Sequence, residues 1–220
     1  MSQSTATTKL GRPKSQEKRQ TILAAASELF LQQGFTNTSM DLVAKAASVS
    51  KQTVYSHFNN KDDLYTAVID AKCKEYRLDA SRLDTCDAPL GDVLNEIAHQ
   101  TISLLQDPDV IAMYTVVIGE AKNNPHVAEL FYRAGPQQSV QTVASIIAKV
   151  KPQLTQFQAM SAATDFFNLL KADFHMRSML RLPFELSHDQ QQTICRRVCR
   201  QITVLLDECQ QFPTIEPHAR

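Results

Sequence analysis

The chain has 220 residues, enough for one large or two small domains with a buried core, and its 43% hydrophobic content is ordinary for a folded protein. Five Gly, no Trp and few β-branched runs point to helices almost throughout, and no apolar run approaches the roughly 20 residues that span a bilayer. Net charge is zero, but residues 1–61 hold 8 Lys and Arg against 3 Asp and Glu, so a head at +5 precedes a remainder at −5 and attraction for phosphate is concentrated at one end.

Residues 1–15 are polar, rich in Ser and Thr, and read as a flexible basic arm. They lack the apolar core of a secretion signal, so a cytoplasmic protein is expected. Within the arm Gly11-Arg12-Pro13-Lys14 suits a narrow minor groove, with Arg12 and Lys14 as the candidate contacts. A merely solvated charge cluster is the alternative. Residues 16–62 are expected to form a small helical head. Its first helix, 17–33, has an apolar stripe at Ile22, Ala25, Ala26, Leu29 and Phe30, and Gly34 can end it as a left-handed cap. Phe35 should close the same core.

Two short helices follow. Ser39 can cap the first, whose apolar positions Met40, Val43, Ala44 and Ala47 recur at helical spacing. Ser48-Val49 breaks that period, and Ser50 can cap a second helix over 51–57 with Val54 and Phe58 inward. Its outward positions, Ser50, Lys51, Gln52, Ser56 and His57, are all polar, as base edges and phosphates require. Two short helices on a tight turn are the shape that places the second in a major groove. Asn60 should cap a fourth helix running to about Leu78, with Leu64, Val68 and Ala71 inward.

The run Ala44-Lys45-Ala46-Ala47-Ser48-Val49-Ser50-Lys51-Gln52-Thr53-Val54-Tyr55-Ser56-His57-Phe58-Asn59-Asn60-Lys61 resembles the helix-turn-helix of the TetR family of bacterial regulators. Ser48 stands where that family usually has Gly, and a left-handed backbone there would cost a Ser some energy. The resemblance implies phosphate contacts from Ser39, Thr53, Tyr55, His57 and Lys61. Ser50, Lys51 and Gln52, at the start of the reading helix, are the candidates for base edges. Packing of the Tyr55 ring in the small core is an equal alternative to contact.

Residues 63–220 are expected to form a helical body. The best linker is 81–91, with Pro89 and Gly91, and helices are expected near 91–106, 109–122, 125–150, 155–181 and 188–211. Gly135-Pro136 should kink or split the third of these. The helix at 155–181 carries two apolar stripes. One holds Phe157, Met160, Thr164, Phe167, Leu170 and Phe174; the other holds Phe166, Leu169, Asp173, Met176 and Leu180. The last helix adds Ile194, Val198, Ile202, Leu205 and Cys209. A helix apolar on two faces must be covered on both. The resemblance implies a homodimer through these last two helices, hence a pseudo-palindromic double-stranded DNA operator.

The segment from Tyr114 to Pro136 is similar to the AefR-like branch of the family. The resemblance further implies a small-molecule effector in the body. Met113, Tyr114, Phe131, Phe166, Phe167, His175 and Met176 are its candidate lining, aromatics and Met suiting an apolar or aromatic molecule. Plain core packing is the competing reading of the same residues.

Cys195 and Cys199 beside Arg196, Arg197 and Arg200 could form a redox sensor, or with His188 a metal site. Small apolar residues on a packed helix are the better reading, and no metal or cofactor is expected. No phosphate loop, dinucleotide fingerprint, nucleophile elbow or zinc-protease motif is present, so no enzyme is expected. The expectation is an all-helical, ligand-responsive DNA-binding repressor. The alternative is a helical ligand-binding or interaction protein with a degenerate head.

Overall fold

The protein is described here as a computed structural model covering residues 12–76 and 88–208, with the side chains of 12–14 and 172 left aside. Among these residues every regular element is a helix. The chain divides into two compact units, 1–68 and 69–220.

In the first unit, α1 spans Arg12–Asn37. It begins earlier than expected, so Arg12 and Lys14 lie in helical backbone rather than in an extended arm. Pro13 favours this, since a first-turn proline needs no N–H partner and its φ already suits a helix. The earlier residues of the arm, and the side chains of Arg12 and Lys14, lie outside the described residues. Gly34 breaks the helix as anticipated, at φ 77° and ψ 176°, a conformation other residues avoid. One more turn reaches Asn37, where the buried Thr38 hydroxyl donates to the Gly34 carbonyl at 2.8 Å.

Helix α2 spans Met40–Ala46, α3 spans Lys51–His57 and α4 spans Lys61–Glu75. Ile22, Leu23, Ala26 and Phe30 of α1 meet Met40, Val43, Ala44, Val54 and Phe58 in one buried core. Tyr65 completes it, edge-on to Phe30 at 5.0 Å and to Phe35 at 5.2 Å. Leu64, Tyr65 and Val68 therefore belong to the head, and the boundary falls inside α4 rather than at 62–63.

In the second unit, α5 spans Leu90–Gln106, α6 Pro108–Ala121 and α7 Pro125–Tyr132. A single π-type turn, Arg133–Gln137, leads into α8, Gln138–Val150. Then come α9, Gln156–Met179, and α10, His188–Glu208. The expected helix at 125–150 is thus split as Gly135-Pro136 required. The widened turn accommodates a proline that would otherwise clash with the carbonyl four residues back. A Cβ at Gly135 would sit 3.3 Å from the Ile69 side chain, a tight contact that glycine avoids. The body core joins α5, α8, α9 and α10 through residues such as Leu94, Ile102, Ile147, Phe166, Leu170, Phe174, Val198 and Ile202.

Residues 81–87 of the expected linker, Leu78, Cys86 and Cys209 lie outside the described residues; Leu90 and Gly91 already belong to α5. No single helix among the described residues is long and apolar enough to cross a membrane.

Candidate nucleic-acid interface and effector site

The reading element is held by its own side chains. Ser39 accepts from the Leu42 amide at 3.2 Å, and Ser50 accepts from the Thr53 amide at 3.1 Å. Between them the chain reverses at Ser48, with φ 52°. The Val49 amide reaches back to the Ala44 carbonyl at 3.0 Å and the Ser48 amide to Lys45 at 3.2 Å, the paired bonds that close a helix around a left-handed residue.

Val54 and Phe58 are buried, and that fixes the rotation of α3. Ser50, Lys51, Gln52, Tyr55 and Ser56 are all exposed, and His57 is half-buried. Tyr55 is 45% exposed, so the tyrosine that fills the core is Tyr65, at 1%. The Ser50 hydroxyl caps α3 and lies 2.8 Å from that of half-buried Thr53. Lys51 pairs with Asp41 at 2.8 Å, which raises the lysine's pKa through that hydrogen bond and charge, and its ammonium also lies 5.9 Å from the Tyr55 ring. Ser39 is exposed at the start of α2.

Lys61 is placed otherwise than a phosphate grip demands. Its half-buried ammonium donates to the Phe35 carbonyl at 2.7 Å and the Thr38 carbonyl at 2.9 Å, and sits 4.1 Å from the Phe35 ring. It fastens the α1–α2 turn to the start of α4. Lys61 thereby gives a donor to the Thr38 carbonyl just past α1 and a second one to the Phe35 carbonyl, which also accepts from the Thr38 amide.

In the body the seven expected lining residues separate. Tyr114 meets Phe131 edge-on at 4.9 Å and His175 at 5.4 Å, and buried Met113 precedes it on α6. Phe166 and Phe167 pack on each other at 5.2 Å inside the main core, Phe166 being fully enclosed. Met176 is 61% exposed, on another face of α9 from His175, and is no lining residue. Phe157 is also exposed, so the two anticipated stripes of α9 are rotated. The core takes Phe166, Phe167, Leu170 and Phe174, while Phe157, Leu169, Met176 and Leu180 face out.

Burial, and then the neighbouring Lys171 charge, pushes His175 down to about 4, which leaves it neutral near pH 7. Burial also lowers Lys171 and raises Tyr114 to about 12, the latter helped by Cys73. Lys171 and Cys73 escaped the sequence reading. The signal available for Lys171 was a cation one turn before His175 on an otherwise apolar face. Cys195 and Cys199 are buried, and desolvation lifts their thiols to about 11 and 12. That opposes the thiolate a redox sensor needs and agrees with packing.

Two family models match. "Bacterial regulatory proteins, tetR family" matches residues 22–68, and "AefR-like transcriptional repressor, C-terminal domain" matches 92–205. The HTH-type transcriptional regulator YhgD of Bacillus subtilis is 41% identical over 61 residues, which are 28% of this chain and 32% of that protein. The chain therefore spans about a third of that relative's length. A Mesorhizobium loti protein described as a TetR-family transcriptional regulator superposes with a TM-score of 0.68 at 22% identity, covering 88% of this chain and 98% of its own. The flavonoid-responsive regulator FrrA superposes with a TM-score of 0.64 at 26% identity, covering 86% and 96%.

Proposed function

The chain belongs to the TetR family of transcriptional regulators, and from that premise we propose that it is a repressor that binds a pseudo-palindromic operator as a homodimer and leaves it when a small apolar or aromatic effector enters the body. The observation that carries the DNA-binding half is the exposed polar row of α3, Ser50, Lys51, Gln52 and Ser56, over the buried Val54 and Phe58. Lys51 and Gln52 address base edges, with Ser50 beside them at the helix start. Ser39, Thr53, Tyr55 and His57 address phosphate, and Arg12 and Lys14 the minor groove. Lys61 supports these contacts from behind as a structural donor.

The homodimer reading is supported by the apolar residues that α9 and α10 leave exposed: Phe157, Leu169, Met176, Leu180 and Val204. The effector reading is supported by Tyr114, Phe131 and His175, which come together as an aromatic cluster at the edge of the main core. FrrA's description as flavonoid-responsive is in line with an aromatic effector. The effector acts by favouring one of two head spacings, so its influence is limited to its differential affinity for them. The setting is the bacterial cytoplasm.

The test is selection of genomic fragments by the purified protein at near-physiological salt. A pseudo-palindrome should be enriched; uniform, salt-sensitive binding would overturn the repressor reading. On the selected operator, Gln52→Ala should relax preference at one base pair, costing roughly 1–3 kcal/mol there. Equal losses across a panel of altered operators would remove Gln52 from the base-reading set.

A further inference from the structure

The cluster around Tyr114 is apolar in its walls but not in its tips. Helix α9 presents Lys171 and His175 one turn apart on the side where His175 meets the Tyr114 ring at 5.4 Å. Tyr114 in turn meets Phe131 at 4.9 Å, and Phe174 lies 6.4 Å from the His175 ring. His175 Nδ1 is buried with no hydrogen-bond partner. Among the described residues, neither the half-buried Lys171 ammonium nor the Tyr114 hydroxyl has a hydrogen bond or ion pair. Asp70, the acid close enough to act on Cys73 nearby, is already paired with Lys74 at 2.8 Å. The Lys171 charge acts on His175 and the His175 ring packs on Tyr114, so His175 links two further polar groups that are half-desolvated and unmatched, where a satisfied network is the rule.

Each tip narrows the missing partner. An ammonium only donates, so it needs an acceptor, and one without its own protons is best. A cation is excluded by Lys171, and a wholly apolar molecule would leave the ammonium desolvated and unpaired. A carboxylate or similar oxyanion accepts from Lys171, and from His175 in its Nδ1–H tautomer, with the Tyr114 hydroxyl as a further donor on the ring that His175 packs against. Its charge also offsets the repulsion between Lys171 and a protonated His175. The remaining walls, Tyr114 and Phe131, offer ring faces and edges to an aromatic group.

We propose that the body site takes a small aromatic anion, its ring against Tyr114 and Phe131 and its oxyanion on Lys171, with His175 and Tyr114 as second donors. This rests on the reading of the body as an effector site, and it adds a charge to the effector and names its counter-ion.

The test uses 2-naphthoate and its neutral near-isostere 2-naphthamide as probes on the full-length protein, with binding followed by naphthalene fluorescence. Wild type should prefer the carboxylate by about tenfold or more, since a hydrogen bond to a charged group away from water is worth at least that. Lys171→Met should erase the preference while leaving naphthamide binding within a few-fold, and Lys171→Arg should keep it. Tyr114→Phe is a second probe of the same donor set and should reduce the preference by a smaller factor. Equal affinity for the two probes, a preference that survives Lys171→Met, or no binding of either would overturn the proposal. Operator binding without probe is measured on the same samples. Loss of naphthoate preference with sound operator binding sinks only this inference; naphthoate preference without operator binding sinks only the repressor reading.

Discussion

The head and the body solve the same packing problem to different degrees of completion. In the head, each helix start after α1 is closed by a side chain: Ser39, Ser50 and Asn60 cap α2, α3 and α4. The carbonyls at the end of α1 meet Lys61 and Thr38. In the body the described residues include three buried side-chain atoms with no partner, Asn95 Oδ1, Thr101 Oγ1 and His175 Nδ1, and a row of exposed apolar side chains on α9 and α10. A unit that must present one fixed surface to DNA gains from closure. On the proposed reading, a unit that accepts a second copy and a small molecule leaves groups for them to complete.

If that contrast is right, the largest effect belongs to the unfinished apolar face. Leu169→Lys with Met176→Lys places two charges on exposed, helix-compatible positions, so folding should be preserved. Mass by light scattering should drop to the monomer, and operator affinity should fall by at least about 100-fold as two linked half-site contacts become independent. An unchanged mass would move the dimer face elsewhere.

Lys61→Met comes next and probes closure in the head. Loss of two charge-assisted bonds to half-buried carbonyls should cost roughly 2–3 kcal/mol of head stability, read by thermal unfolding. The salt dependence of operator binding should stay as in wild type. A slope shallower by about 1 would restore Lys61 to the phosphate contacts that its sequence position implied.

Asp107, like Thr155 and Ser187 at the starts of α9 and α10, is a place where the body does reach closure. It caps α6 through the Asp109 and Val110 amides, accepts from Tyr76 at 2.6 Å and pairs with Lys72 at 2.8 Å. Desolvation alone would raise its pKa, but the bonds from Lys72 and Tyr76 win and hold it below the ordinary value. A lowered carboxylate pKa stabilises the fold above the unfolded value near 4, and that stabilisation is lost as pH falls through the lower folded one. Asp107→Asn keeps the cap but loses the charge, so it should cost about 1–2 kcal/mol at pH 7 and less at pH 3. A gap that is constant between the two pH values would mean the pair contributes through shape alone.

The same contrast governs what the sequence could disclose. Caps and short-range periodicity are local, and Ser39, Ser50 and Asn60 were readable because each acts within three residues of itself. Lys61 reaches carbonyls 26 and 23 residues back, a link no local pattern carries. Tyr55 and Tyr65 are equally plausible core rings until α3 and α4 are rotated by their neighbours. Helix α9 is the sharpest case. Being apolar on two faces, it has no preferred rotation in periodicity, so Phe166 and Met176 were assigned together and separate in three dimensions. Lys171 was missed because its neighbour His175 takes its meaning from Tyr114, on another helix.

The smallest effect tests whether closure in the head is complete. Ser48 is held at φ 52°, a left-handed conformation that costs an ordinary residue about 1–2 kcal/mol. Glycine would escape that cost but gives back part of it through the greater freedom of the unfolded chain. Ser48→Gly should therefore stabilise the protein by roughly 0.5–1 kcal/mol. Ser48→Asn, which also tolerates the left-handed region, should fall between, and Ser48→Ala should gain nothing. Operator affinity decides the meaning. If it holds while stability rises, the strain at the turn is idle and the α2–α3 angle is set by Val43, Val54 and Phe58 in the core. If affinity drops as stability rises, the serine is tilting the reading helix, and the head has a degree of freedom that its closed hydrogen bonding conceals.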